Sequence, residues 1–188
     1  MTPMVIPGVP VSERRHSHVL VQPLAAPRIG VMLHYDDSSR DDWAVAWFSD
    51  PRCTNGYSWL VLDDGRVIEL ADPALRTPHA GPCKTPRANS AYYGIAAATN
   101  GLVPATLAQM AGIVECVGAI ARFHRWPAGE IDRRVVGHDE EAIWTQRYTP
   151  NRSLWGTVGR KADPTGQRRD VVRIVDVARV REEVRKEL

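Results

Sequence analysis

The chain predicts an α/β fold, a single domain with a central mixed β-sheet flanked by helices, on three observations. Ile29–His34 and Tyr92–Ala98 are nearly continuous apolar runs, the pattern of central strands covered on both faces. Between them, Tyr57–Leu62 and Arg66–Leu70 flank Asp63-Asp64-Gly65, which reads as an antiparallel hairpin. Helical spacing recurs between and after these strands, so parallel and antiparallel pairings must share one sheet.

Taken in order, residues 1–28 carry Pro3, Pro7, Pro10, Pro23 and Pro27, which exclude a long helix and favour an extended N-terminal arm. The domain is then expected over residues 29–188. Ile29–His34 places His34 at a strand end, near the surface. Arg40–Ser49 reads as a short helix closed by Asp50-Pro51. The hairpin follows, then a Pro- and Gly-rich loop holding His79, then Tyr92–Ala98 as a buried strand. Pro104 opens a long helix in which Leu107, Met110, Ala111, Val114, Val117, Ala121 and Phe123 recur near helical spacing, ending around His124–Trp126. Arg133–Gly137 reads as a short strand leading into His138, and Val171–Leu188 as an amphipathic terminal helix. Of the six tryptophans, Trp43, Trp47 and Trp59 are expected to fill the core, while Trp144 and Trp155 flank a loop where a glycan contact is plausible.

Composition narrows the function classes. The chain has 188 residues, 44% hydrophobic and 24% charged, enough for one sizeable core. A net charge of +2, with Lys and Arg scattered except between Arg160 and Arg173, demands no nucleic acid and gives only weak attraction to an anionic polymer such as a cell wall. Cys53, Cys83 and Cys116 form no disulfide framework and read as reduced thiols. The apolar segment Val19–Ala26 follows Arg14-Arg15, but Gln22 and Pro23 interrupt it, so no clear signal peptide is expected. No stretch approaches the ~20 apolar residues that span a bilayer.

Three separated fragments could close around one metal ion: His34 after its strand, His138 in Arg134-Val135-Val136-Gly137-His138, and Asp163 in Gly159-Arg160-Lys161-Ala162-Asp163-Pro164. Two imidazoles and a carboxylate form the three-ligand zinc shell that leaves a fourth position open. Pro164 biases Asp163 toward extended geometry, which would bring Lys161 to the same side. Zinc lowers the pKa of a bound water to about 7 and polarises a carbonyl, and a neighbouring ammonium stabilises a developing oxyanion by roughly 3 kcal/mol. This chemistry is metal-assisted amide or ester hydrolysis. His79 with Cys83 forms another candidate metal pair, and Asp139, Glu140 and Glu141 are rival carboxylates. Asp163 is the better third ligand because residues directly after His138 reach the ion only through a tight bend. Glu140 and Glu141 read as a solvated face.

Strand-end His34, the hairpin Gly56–Ile68, Pro78-His79-Ala80-Gly81, Val136-Gly137-His138 and Gly159–Pro164 stand in the order of one family. From about Ile29 to Leu188 the chain resembles the type 2 N-acetylmuramoyl-L-alanine amidases, which include phage endolysins and peptidoglycan recognition proteins. The resemblance implies a Zn2+ hydrolase that cuts the amide between the lactyl group of N-acetylmuramic acid and L-alanine in peptidoglycan. It implies His34, His138 and Asp163 as metal ligands, Tyr57 and Lys161 as catalytic residues by likeness to a phage lysozyme with amidase activity, and His79 as a substrate-side histidine. That lysozyme has a cysteine as third ligand where this chain has Asp163, as many bacterial members do. Many bacterial members also carry a catalytic glutamate after Gly-Ile, whereas Gly94-Ile95 is followed here by Ala96.

The expected role is a bacteriolytic, antimicrobial endolysin, made in the host cytoplasm and acting on the cell wall after release, monomeric and without nucleic acid or membrane partners. A peptidoglycan-binding module without activity and a cytosolic muropeptide-recycling amidase are the alternatives.

Overall fold

In the computed structural model, residues 3–16, 22–36, 38, 40–53, 55–80, 83–100, 103–141 and 174–188 are described. In chain order the elements are β1 (Val11–Arg14), β2 (Gln22–Pro23), β3 (Gly30–Tyr35), α1 (Asp41–Ser49), β4 (Trp59–Val61), β5 (Val67–Glu69), β6 (Leu75–Arg76), α2 (Ala88–Ala91), β7 (Tyr92–Ala97), α3 (Leu107–Phe123), α4 (Ile131–Arg134), β8 (Val135–Gly137), α5 (His138–Glu141) and α6 (Val177–Glu187). Six strands form one sheet in the order β1-β5-β4-β7-β3-β8, and β2 pairs with β6 apart from it. Among the described residues the β4–β5 hairpin is the one antiparallel pair in the large sheet, which is therefore mixed, as predicted. Gly65 closes the hairpin at φ +87°, and its N–H donates to the Leu62 carbonyl at 2.8 Å. This is a backbone conformation that glycine adopts without steric cost.

The alternation of side chains along each strand sorts the sheet into two faces. Val31, Leu33, Trp59, Val61, Tyr93, Ile95 and Ala97 pack on one face with α3 and α6, through Ile113, Cys116, Val117, Ile120, Val180 and Val184. Leu60, Ile68, Leu70, Ala96 and Ala98 face the other way, where α1 contributes Ala44 and Phe48. His34 is on this second face, two residues along β3 from Met32. Helices thus close one face firmly, and the chemistry collects on the other.

Several boundaries depart from the sequence expectation for local reasons. The long helix starts at Leu107 rather than at Pro104, because Thr106 caps it: its side chain accepts from Gln109 N at 3.0 Å, and the Gln109 side chain accepts in return from Thr106 N at 2.9 Å. Thr106→Ala is expected to cost about 1 kcal/mol, a Tm fall of roughly 2–4 °C by calorimetry. The terminal helix starts at Val177, with Asp176 accepting from Arg179 N at 3.0 Å. Residues Ile131–Arg134 form a helical turn where a strand was expected from Arg133, so β8 is shorter. The N-terminal segment supplies edge strand β1, and Ile6 is buried in the core.

Trp59 is fully buried, as expected, but Trp43 and Trp47 are 59% and 48% exposed. Helix α1 presents Ala44 and Phe48 to the sheet, which turns the flanking tryptophans outward. None of the three cysteines is in a disulfide, and Cys53 and Cys116 are buried. Among the described residues no helix is long and apolar enough to cross a membrane.

Candidate functional site

Parallel register brings His34 and His138 together. Strand β3 pairs with β8 through Met32↔Val136 and Leu33↔Gly137, so the next residues, His34 and His138, stand side by side. Their ring centroids are 4.7 Å apart. On its other side His34 is in register with Ala96, which is in register with Leu60. Ala96, where many bacterial members of the resembled family carry glutamate, is therefore the lateral neighbour of His34 on the same face, and it offers only a methyl group.

His34 is not near the surface, as its strand-end position suggested. It is fully buried, and His138 is 1% exposed. The cover comes from other elements: the Tyr57 ring lies 5.0 Å from that of His34, and the His79 ring approaches at the same distance, edge-on. Tyr57 is held by Phe48 of α1 at 5.3 Å, and its hydroxyl donates to the Tyr35 carbonyl at 3.4 Å. Imidazoles are rarely placed in an apolar interior unless their nitrogens are matched by partners.

His79 is matched at both nitrogens. Its Nε2 donates to the Tyr92 carbonyl at 3.1 Å, and its Nδ1 lies 3.0 Å from His34 Nε2. Burial holds its pKa well below the usual histidine range, and the rings of His34 and His138 push the same way. His79 is therefore neutral at physiological pH. Gly94 makes room for it, since a Cβ there would come within 2.8 Å of His79 Cγ. No local pattern foretold the His34–His79 contact, which spans 45 residues; a glycine inside a strand was the one available signal of close approach.

The acidic residues after His138 are not simply solvated. Glu140 accepts from Gly137 N at 2.6 Å and from Arg181 Nη2 at 2.7 Å. Glu141 accepts from Thr85 N and Oγ1 at 3.1 and 2.9 Å. Both tie down the turn that carries His138: Glu140 satisfies the backbone N–H of Gly137 just before α5, and Glu141 fastens α5 to the segment at Thr85. Their oxygens are thereby occupied, which weakens them as rival metal ligands.

Lys161 and Asp163 lie outside the described residues, as do Trp144 and Trp155. Among the described residues no three His, Cys, Asp or Glu side chains form a metal-holding group. His79 does not complete one with His34 and His138, because both its nitrogens are engaged. Two adjacent buried imidazoles nevertheless suit zinc, whose usual donors are cysteine thiolate, imidazole nitrogen and carboxylate oxygen.

A family model described as N-acetylmuramoyl-L-alanine amidase matches residues 25–166. The chain belongs to this family, the type 2 amidases. Membership supports hydrolysis of an amide in peptidoglycan as its chemistry. A sequence comparison with curated proteins finds no match. Among solved structures, AmiA of Staphylococcus aureus, a hydrolase in complex with its ligand, is similar with a TM-score of 0.63 and 16% identity, over 93% of this chain and 82% of that one. AmpD is similar with a TM-score of 0.60 and 18% identity, over 80% and 92%. The endolysin LysCS of Clostridium intestinale, an N-acetylmuramoyl-L-alanine amidase, has a TM-score of 0.58 and 13% identity, over 94% and 98%. At these identities the likeness is one of fold.

Proposed function

We propose that this amidase is a zinc-dependent N-acetylmuramoyl-L-alanine amidase of endolysin type, cutting the bond between the lactyl carbonyl of N-acetylmuramic acid and the L-alanine nitrogen. The observation that carries the proposal is the side-by-side burial of His34 and His138 on one sheet face. They would hold the metal with Asp163, and Trp144 and Trp155 would flank the substrate. Bound zinc would supply an activated water and polarise the scissile carbonyl.

The chain's own groups do the rest. The Tyr57 hydroxyl, beside His34, would leave its long 3.4 Å bond to the Tyr35 carbonyl and donate to the substrate carbonyl oxygen as negative charge develops there, and the Lys161 ammonium would supply a second donor. The sheet fixes the two histidines before substrate arrives, which removes an orientational cost from the reaction. With Ala96 beside His34, no carboxylate at that position can move a proton, so Tyr57 and Lys161 must also serve the departing amine. Water adds to the carbonyl carbon, the C–N bond breaks, and the amine leaves carrying a proton. Tyr57→Phe and Lys161→Ala are each expected to lower kcat about 100-fold with bound zinc unchanged. Full activity in a zinc-loaded Lys161→Ala protein would remove the lysine from the mechanism.

The deciding experiment is incubation of the purified protein with intact peptidoglycan, with and without a zinc chelator, followed by mass analysis of the products. Chelator-sensitive release of stem peptides with free L-alanine amines, and no new reducing sugar ends, is the expected result. Ala96 favours one rival, a peptidoglycan-binding module without turnover. Binding without cleavage by the metal-loaded protein would establish that rival. The endolysin role draws support from the likeness to the Clostridium intestinale enzyme, and lysis of intact cells on external addition tests it against a role confined to soluble muropeptides.

A further inference from the structure

We infer that His79 is a positioning residue that fixes His34 in its Nε2-protonated tautomer, so that Nδ1 is the nitrogen with which His34 ligates a metal. The inference rests on the zinc reading above for its purpose, though not for its geometry.

The Tyr92 carbonyl facing His79 Nε2 can only accept, so the proton of the His79 ring sits on Nε2. A neutral imidazole has one such proton, and His79 Nδ1 is therefore an acceptor. Its partner at 3.0 Å is His34 Nε2, which must then be the donor. A donating Nε2 leaves the lone pair of a neutral His34 on Nδ1. The relay runs from a backbone carbonyl through one imidazole into a second, and it is anchored where strand β7 begins. Metal-bound histidines characteristically donate their other N–H to an acceptor that sets tautomer and ring orientation. Here that acceptor is a second histidine in place of the usual carboxylate or carbonyl.

The packing around the relay points the same way. His79 is 4% exposed, so its ring is held in an enclosed slot. The slot exists because residue 94 is glycine: a Cβ would stand 2.8 Å from His79 Cγ and 3.1 Å from both its Cβ and Cδ2. A role in touching substrate would need a nitrogen directed outward, and both are spent inside.

Long-range proton–nitrogen NMR correlations on the metal-free protein read the tautomer of each histidine directly, and competition with a chromogenic chelator gives zinc affinity. In the wild type, His34 and His79 are both expected to be protonated at Nε2. His79→Leu removes the acceptor and is expected to mix the His34 tautomers and lower zinc affinity 10–100-fold. His79→Asn keeps an oxygen acceptor near the Nδ1 position and is expected to restore most of both. Gly94→Ala, which displaces the ring while leaving the imidazole in the chain, should resemble His79→Leu. A His34 protonated at Nδ1 in the wild type would overturn the inference. So would a folded His79→Leu protein with unchanged His34 tautomer and zinc affinity. If the wild type binds no zinc yet shows the expected tautomers, the hydrolytic zinc reading fails while the orienting hydrogen bond stands.

Discussion

His34→Ala and His138→Ala should each abolish peptidoglycan hydrolysis, with kcat/KM falling by at least roughly 1,000-fold and zinc content falling with it. The two residues are equivalent in placement: each is the first position beyond the Leu33↔Gly137 pair, and their rings sit 4.7 Å apart. Removing either leaves a single protein nitrogen from the sheet and a buried void beside the remaining imidazole. Stability should change less than activity. A fully buried imidazole stabilises the metal-free protein through its hydrogen bonds, at about 1 kcal/mol each, and through ring packing whose loss leaves a cavity costing ~2 kcal/mol, while alanine leaves the strand register untouched. The check is parallel measurement of turnover, zinc per chain and Tm. A His138→Ala protein that hydrolyses peptidoglycan at the wild-type rate would exclude the paired-histidine site altogether.

How much of this was legible in the sequence follows from the range of the interactions involved. Strands β3 and β7 announced themselves because a strand buried on both faces must be apolar at every position. The hairpin was legible because Asp64-Gly65 encodes a turn that glycine closes locally. His34 and His138 could be singled out as strand-end histidines, but their burial could not be foreseen. That depends on Tyr57, Phe48 and His79 arriving from distant segments. Trp43 and Trp47 were misread as core because hydrophobicity says nothing about which side of a short helix meets the sheet; Ala44 and Phe48 took that side. Glu140 and Glu141 looked like a solvated acidic run for the same reason. Their partners, Arg181 and Thr85, lie 41 and 56 residues away.

Gly30→Ala is expected to cost about 3 kcal/mol or more and to lower Tm by roughly 6–12 °C. The reason is space rather than backbone angle. A Cβ at position 30 would stand 2.2 Å from the Arg134 carbonyl oxygen and 2.9 Å from Tyr92 Cε1. The carbonyl belongs to the backbone that enters β8, and it cannot retreat without opening the Val31↔Val135 pair next to it. Arg134 also spans the same junction, its Nη1 donating to the Ile29 carbonyl at 2.8 Å. Relief must therefore come from parting β3 and β8, the two strands whose register sets His34 beside His138. Any folded fraction should lose activity beyond its loss of stability, since displacements near 1 Å at a reacting centre cost on the order of 100-fold. Gly129→Ala is the matched control: nothing lies within 4 Å of a Cβ there, so Tm and turnover should both stay near wild type. Calorimetry and kcat/KM on the two variants separate the general cost of replacing a glycine from the specific cost of prising these strands apart. If Gly30→Ala melted and turned over like Gly129→Ala, the close β3–β8 approach that seats both histidines would have to be wrong.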